Sequence, residues 1–155
     1  MRTVSIRTTV HREPAEIYRL LADFRAYPRH MPSVRKVDVA EGDGRQCVSS
    51  WEVDFRDGIL KWTERDVFSP EKLRIEFSQI EGDLDVFSGY WQVASNDDGD
   101  GGSVVFCARF DLGIPSLAAF LEPVAQKALE ENVEKILNGL FGEGHRITAE
   151  AEASS

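Results

Sequence analysis

Residues 59–68 alternate along the chain, and the alternation divides the residues best equipped for chemistry between two faces. Ile59, Lys61, Thr63, Arg65 and Val67 fall on one side, and Leu60, Trp62, Glu64, Asp66 and Phe68 on the other, as in a half-buried strand. Glu64 and Asp66 are two carboxyls on one face, a pairing that can exchange protons with a substrate if it is buried. The competing reading makes each a surface carboxylate paired with Lys61 or Arg56. Arg65, on the opposite face, is either a hydrogen-bond donor inside the protein or a solvated strand arginine. Trp51, Trp62, Phe77, Trp91 and Phe106 lie on neighbouring strand-like runs. They are enough to line a cavity, and plain core packing explains each of them equally well. Asn132 stands in mid-helix, where Asn is a mediocre helix former, one residue from the apolar stripe.

Other chemistries find no support. His11, His30 and His145 share no metal-ligand spacing, so no metal is expected. No Ser-His-Asp arrangement can be read, and there is no glycine-rich dinucleotide or phosphate loop. Gly99-Asp100-Gly101-Gly102 is an acidic turn that would repel phosphate. The chain carries 18 basic and 27 acidic residues, a net charge of −9. That balance argues against nucleic-acid binding and against docking on anionic membranes. Cys47 and Cys107 make no disulfide framework and read as reduced, buried thiols. No apolar run is long enough to span a membrane. Met1-Arg2-Thr3-Val4-Ser5-Ile6-Arg7 lacks the apolar core of a signal peptide, and a cytoplasmic location is the expectation.

The elements that must position these residues follow from the patterning. With 155 residues, 42% of them apolar and 29% charged, one soluble domain fits and a second does not. Val4, Ile6, Thr8 and Val10 alternate as a first strand. Glu13-Pro14-Ala15-Glu16 opens a helix, with proline early and acids in the first turn. Ile17, Leu20, Leu21 and Phe24 form its apolar face. Residues 25–31 read as a short second helix or turn. About six strand-like runs follow, at residues 34–41, 46–56, 59–68, 73–80, 86–94 and 103–112, with turn signals such as Asp57-Gly58 between them. A long helix at about 116–141 closes the domain. Its stripe comprises Leu117, Phe120, Leu121, Val124, Ala128, Val133, Ile136, Leu137 and Leu140, and Gly142 stops it. Residues 143–155 are small and polar and read as a disordered tail. Consecutive strands joined by tight turns form an antiparallel sheet. One amphipathic helix covers seven strands only if the sheet curves around it.

The stretch Glu13-Pro14-Ala15-Glu16-Ile17-Tyr18-Arg19-Leu20-Leu21-Ala22-Asp23-Phe24, continuing to Tyr27-Pro28-Arg29-His30-Met31-Pro32, resembles the opening motif of the START-like and Bet v 1-like helix-grip superfamily. Its nearest likeness is the polyketide cyclase/dehydrase group, which contains the aromatase/cyclases. Gly89-Tyr90-Trp91 and the closing helix support the likeness over residues 2–141. The resemblance implies an α+β helix-grip domain over residues 1–142, with a seven-stranded curved antiparallel sheet around the C-terminal helix and a cavity for a hydrophobic ligand. It places Tyr27 and Met31 at the cavity mouth, Trp91 and Phe106 on its wall and Asn132 on the long helix. Arg65 falls near the family's catalytic arginine. Trp62 precedes it by three residues where the cyclase spacing is four, and a one-residue slip moves a side chain to the other face. Either Arg65 or the pair Glu64 and Asp66 therefore points inward.

The implied activity is directed cyclisation of a poly-β-ketone, free or presented by an acyl carrier protein. A shaped cavity supplies proximity, a donor such as Arg65 stabilises the developing oxyanion, and a carboxylate or held water moves protons. No metal or redox cofactor is needed for aldol addition and loss of water. The alternative function is a non-catalytic carrier of an apolar small molecule such as a quinone or lipid. Either would work as a monomer or homodimer. Ribosome association, a third activity in the superfamily, is disfavoured by the charge.

Overall fold

The computed structural model describes residues 2–42, 44–55, 58–96, 101–111, 115–142 and 146–153. Strand β1 (Arg2–Val10) leads into helix α1 (Pro14–Ala22), a 3-10 turn (Phe24–Ala26) and the short helix α2 (Tyr27–His30). Six strands follow: β2 (Val34–Glu41), β3 (Gln46–Phe55), β4 (Gly58–Ser69), β5 (Arg74–Gly82), β6 (Val86–Ser95) and β7 (Gly102–Asp111). The long helix α3 (Pro115–Phe141) and a last strand, β8 (Arg146–Ala153), complete the chain.

All strands are antiparallel neighbours in the order β2-β3-β4-β5-β6-β7-β1-β8. The seven expected strands curve around α3, which is the helix-grip arrangement. The eighth is a correction. Residues 146–153, expected to lie in a disordered tail, pair with β1 from Arg2↔Ala153 to Thr9↔Arg146. The physical reason is the free edge of β1, whose outward N–H and C=O groups need partners that a continuing chain can supply. The expected turn at Asp57, the acidic loop at residues 97–100 and tail residues 143–145 and 154–155 lie outside the described residues.

Local sequence explains the elements that matter for the interior. Pro14 occupies the first turn of α1, where its missing N–H costs nothing, and Glu13 O accepts from the Glu16 and Ile17 amides. The helix buries Ile17, Tyr18 and Leu21. Beyond Pro123, α3 buries Ala125, Ala128, Val133, Ile136, Leu137 and Leu140, with Leu129 partly covered. This is helical spacing that begins at Ala125. Val124, expected on the stripe, is 42% exposed. The side chains of Leu117, Phe120 and Leu121 lie outside the described ones.

Between β4 and β5 the register shifts after Thr63, so that Ile80 has no opposite residue and stands exposed. Such a bulge bends its strand and re-aims side chains. Just beyond it, Trp62 faces Gly82. A Cβ on Gly82 would lie 2.5 Å from the Trp62 Cβ, and its φ is +159°. Glycine there lets Trp62 sit close against β5.

Candidate functional site

A cavity of about 60 Å³ lies between α3 and the inner face of the sheet. Strands β3 to β7 contribute Trp51, Val53, Leu60, Trp62, Glu64, Phe77, Phe87, Trp91 and Phe106. Helix α3 contributes Leu129, Asn132, Val133 and Ile136, and the segment after α1 adds Phe24 and Tyr27. Period-two alternation explains the strand contribution, because each strand offers only its inward residues.

The rings form a continuous chain of contacts. Tyr27 meets Trp51 edge-on at 5.5 Å between centroids, and Trp51 stacks on Trp62 at 5.8 Å. Trp62 meets Phe87 at 5.5 Å, Phe87 meets Phe77 at 5.2 Å, Phe77 stacks on Phe106 at 5.8 Å, and Phe106 touches Trp91 at 4.6 Å. Offset and edge-on pairs of this kind hold one another in place beyond their burial.

Trp62 points inward, and strict alternation then fixes its neighbours. Glu64 is 5% exposed and Asp66 is completely buried, whereas Arg65 faces solvent. This corrects the expectation of an inward Arg65 that would serve as oxyanion donor. The departure of one residue in its spacing from Trp62 puts it on the outer face.

A polar row runs through the apolar wall. The Trp62 indole N–H donates to Glu64 Oε1 at 2.6 Å. The Trp51 indole N–H donates to Ser49 Oγ at 2.8 Å, and Ser49 donates in turn to Asp66 Oδ2 at 2.5 Å. The Cys47 thiol reaches the same oxygen at 3.6 Å. Asp66 Oδ1 is buried, and no N–H, hydroxyl or thiol of the described residues donates to it. Burial first, then the hydrogen bond and charge of Asp66, push the Glu64 carboxyl well above the usual carboxylate range, against a smaller downward pull from Trp62. Burial also raises Asp66, but its hydrogen bonds from Glu64, Ser49 and Cys47 oppose that rise. Of the two, Glu64 is therefore the one that holds its proton to higher pH, since two like charges at close range in low dielectric do not both ionise readily.

Two further polar groups belong to the site. Tyr27 is 1% exposed, and its hydroxyl donates to the Leu21 carbonyl at 2.6 Å. Burial, with the charges of Glu64, Asp66 and Asp23, pushes its pKa well above 10. It is a neutral phenol already committed to the backbone. Asn132 is 8% exposed and lines the cavity. No lysine or arginine lines the cavity among those residues.

The structure thus gathers Tyr27, Trp51, Trp62, Glu64, Phe77, Trp91, Phe106 and Asn132 around one space, with Asp66 directly behind Glu64. Met31, expected at the cavity mouth, is not in the lining. It is 3% exposed and packs against α3, where a Cβ on Gly139 would come within 3.1 Å of the Met31 Cβ. Its place between α2 and β2 directs it to that helix crossing. Sequence reasoning missed Phe24, Phe87, Val53, Leu60, Leu129, Val133 and Ile136 as wall residues. Phe87 was recoverable, since Phe87, Gly89, Trp91 and Val93 alternate on β6.

Comparison with known proteins agrees with this fold. The model of the family described as "Polyketide cyclase / dehydrase and lipid transport" matches residues 10–137. No curated protein sequence matches significantly. Among solved structures, the chain is similar to TTHA0849 from Thermus thermophilus, with 29% identity, a TM-score of 0.81, and coverage of 89% of this chain and 93% of that one. It is also similar to the Zhui aromatase/cyclase from Streptomyces sp. R1128, with 22% identity, a TM-score of 0.77, and coverage of 92% and 93%. A START superfamily protein from Mycobacterium smegmatis shares the fold at 17% identity and a TM-score of 0.72, with coverage of 92% and 96%.

Proposed function

The chain belongs to the polyketide cyclase/dehydrase and lipid transport family, and on that premise we propose that it binds a poly-β-ketone or related carbonyl-bearing intermediate and directs its aldol cyclisation and dehydration. The observation that carries this reading is a buried carboxyl, Glu64, set into a largely apolar cavity wall, where burial and Asp66 favour its neutral form. In this role Glu64 donates to the electrophilic carbonyl oxygen as the carbon–carbon bond forms. The α-proton of the attacking carbon leaves to water, so the carbonyl becomes a hydroxyl and the proton count is unchanged. Loss of that hydroxyl as water, with loss of a second α-proton, gives the unsaturated ring. A neutral acid held in apolar surroundings can donate to a developing oxyanion without reorganising solvent. The substrate arrives free or on an acyl carrier protein.

The volume constrains the event. An apolar cavity of roughly 150 Å³ takes up benzene, and about 60 Å³ is less than that. A ligand must therefore part the aromatic wall, and ring closure would occur at the end of the chain that enters. Carriage of an apolar molecule without chemistry is the second reading. It is favoured by a lining with no basic residue among those described.

Co-expression with a minimal polyketide synthase separates the two. With Glu64→Gln, the yield of correctly cyclised product should fall by about a hundredfold, as expected for loss of a positioned acid. Identical products with the wild type, with Glu64→Gln and with no protein would remove the cyclase reading. Retained binding of a planar quinone in that case would leave the carrier.

A further inference from the structure

Behind Glu64, the polar row does not end in the core. Asp66 is fully buried and does not line the cavity, yet its Oδ2 accepts from Ser49 at 2.5 Å and from the Cys47 thiol at 3.6 Å. Cys47 is half-buried and opens onto a second space, a surface recess of about 330 Å³. That recess is bounded by Asp23 and Arg25 after α1, by Val39 on β2, and by Gln46 and Phe68 at the ends of β3 and β4. Phe24 stands between the two spaces and lines both. The aromatic cavity thus has the Glu64 carboxyl on its wall, and the recess has the Cys47 thiol on its own. Asp66 is the group between them, in contact with Glu64 on one side and with Ser49 and Cys47 on the other.

We propose that Asp66 is the positioning residue for the Glu64 proton and that the row Glu64–Asp66–Cys47 passes protons between the ligand cavity and the surface recess. This rests on the reading of Glu64 as an acid and adds the means of reloading it. Once Glu64 has given its proton to a bound oxygen, both carboxyls are ionised and closely spaced. That state is unfavourable in low dielectric. A hydronium ion in the recess gives a proton to the Cys47 sulfur as the thiol passes its own to Asp66 Oδ2. Asp66 hands a proton to Glu64, and the thiol, the Asp66 carboxylate and the protonated Glu64 are restored. One proton has moved inward and no other group has changed. The ligand meanwhile keeps its place against the apolar wall, where competing cyclisations in free solvent are suppressed.

The charged and titratable groups around the row fit this role. Tyr27 from α2 faces Glu64 and Asp66 as a neutral phenol. Asp23 lies toward Tyr27, and Arg25 toward Cys47. The thiol, held at about 12 by burial and then by Asp66, stays protonated and able to donate at physiological pH.

The test uses the full chain without ligand, so it stands apart from any polyketide assay. Glu64 is followed by carbon-13 NMR of labelled glutamate, with its signal assigned by its absence in Glu64→Gln. Asp66→Asn should lower the Glu64 pKa by about one unit or more, because it removes the neighbouring charge and acceptor. Asp66→Glu should restore most of the shift. Cys47→Val should leave that pKa within about half a unit. It should also slow solvent exchange of the Glu64 proton, seen by infrared spectroscopy after mixing with deuterium oxide, by about tenfold. Methylthiolation of the wild-type thiol should do the same without a mutation. An unchanged Glu64 pKa in Asp66→Asn overturns the positioning role. Unchanged exchange in both Cys47→Val and the modified protein overturns the path through the recess. If Asp66→Asn does not fold, Asp66→Ser, which also removes the charge, reads the Glu64 pKa, and the thiol modification reads the exchange. Identical products in cells with and without the protein, with all these results intact, would overturn the functional reading and leave the proton path standing.

Discussion

Trp51 and Trp62 stand directly opposite each other on β3 and β4, with their ring planes 2° apart and their centroids 5.8 Å apart. The two indoles send their N–H groups into the same polar row, Trp62 to Glu64 and Trp51 through Ser49 to Asp66. A stacked cross-strand pair therefore does more than fill the wall. It orients both ends of a buried carboxyl pair, and the stack restricts the indoles from turning away.

Trp62→Phe tests that orientation. Phenylalanine can keep much of the ring contact but cannot donate. The Trp62 hydrogen bond pulls the Glu64 pKa downward, so its loss should raise that pKa further. Carbon-13 NMR of labelled glutamate reads the shift directly, and a fall instead of a rise would contradict the arrangement.

Arg65→Ala should be nearly silent. Arg65 is exposed on the outer face of β4, and exposed substitutions usually change stability by less than about 0.5 kcal/mol. Cyclised product in the co-expression assay should stay near the wild-type level. A hundredfold fall from Arg65→Ala, with Glu64→Gln harmless, would mean that the arginine acts on substrate after all.

The pH dependence of stability follows from the direction of the Glu64 shift. Its folded-state pKa lies above the ordinary 4.5 of the unfolded chain. The folded state thus binds more protons between those two values, and stability falls there as pH rises. The contribution is fully present below about 4.5 and is lost as pH climbs through the folded-state value. Glutamine cannot ionise. Melting temperature in Glu64→Gln, relative to the wild type, should therefore increase with pH above about 4.5. A difference that is flat or declines with pH would mean that Glu64 is not held protonated.

Much of this site was legible in the sequence. The alternation on β4 put Glu64 and Asp66 together and Arg65 opposite them, as observed. What it left open was which face is inside, since a period of two has no sign. The apolar set Leu60, Trp62 and Phe68 marks the inner face, against Lys61, Thr63 and Arg65 on the outer, and only the fold resolves that contest. The phase of α3 differs slightly from the one hydrophobicity suggests, because Val124 is more hydrophobic than Ala125, yet Ala125 is the buried one. The same phase places Asn132 squarely on the buried face, so its polarity in that position was the signal of a cavity. Residues 146–153 were harder. Ile147, Ala149, Ala151 and Ala153 do alternate with Arg146, Thr148, Glu150 and Glu152. Alanine and glutamate are weak strand formers, and the partner edge of β1 lies far away in sequence.

Truncation after Gly142 should therefore have a cost. It removes β8 and opens the β1 edge along Arg2 to Thr9. Losing a paired strand should lower stability on the order of 2 kcal/mol, the scale of a few net hydrogen bonds. The bared edge should also promote self-association, since unpaired strands recruit one another. Thermal melts and light scattering of the two forms check both effects. Unchanged values would show that β8 adds nothing.

Asn132→Leu separates the cavity's chemistry from its packing. Asn132 is 8% exposed and lines the cavity, where a polar group taken out of water without a hydrogen bond costs about 1–3 kcal/mol. Leucine has similar volume, suits the helix better and removes that cost, so the variant should melt several degrees higher. If the amide exists to meet a ligand carbonyl or hydroxyl, the same change should weaken a ligand that carries one. Affinity for a hydroxylated anthraquinone should fall by about tenfold, the loss of one hydrogen bond in a buried site. Affinity for anthracene, equal in ring count but without oxygen, should hold or improve. Quenching of the cavity tryptophans, of which Trp51, Trp62 and Trp91 all line the wall, reports both titrations. Higher stability with both affinities unchanged would make Asn132 a packing defect. Lower stability would show that the amide has a structural partner and that the cavity's polar wall is Glu64 alone.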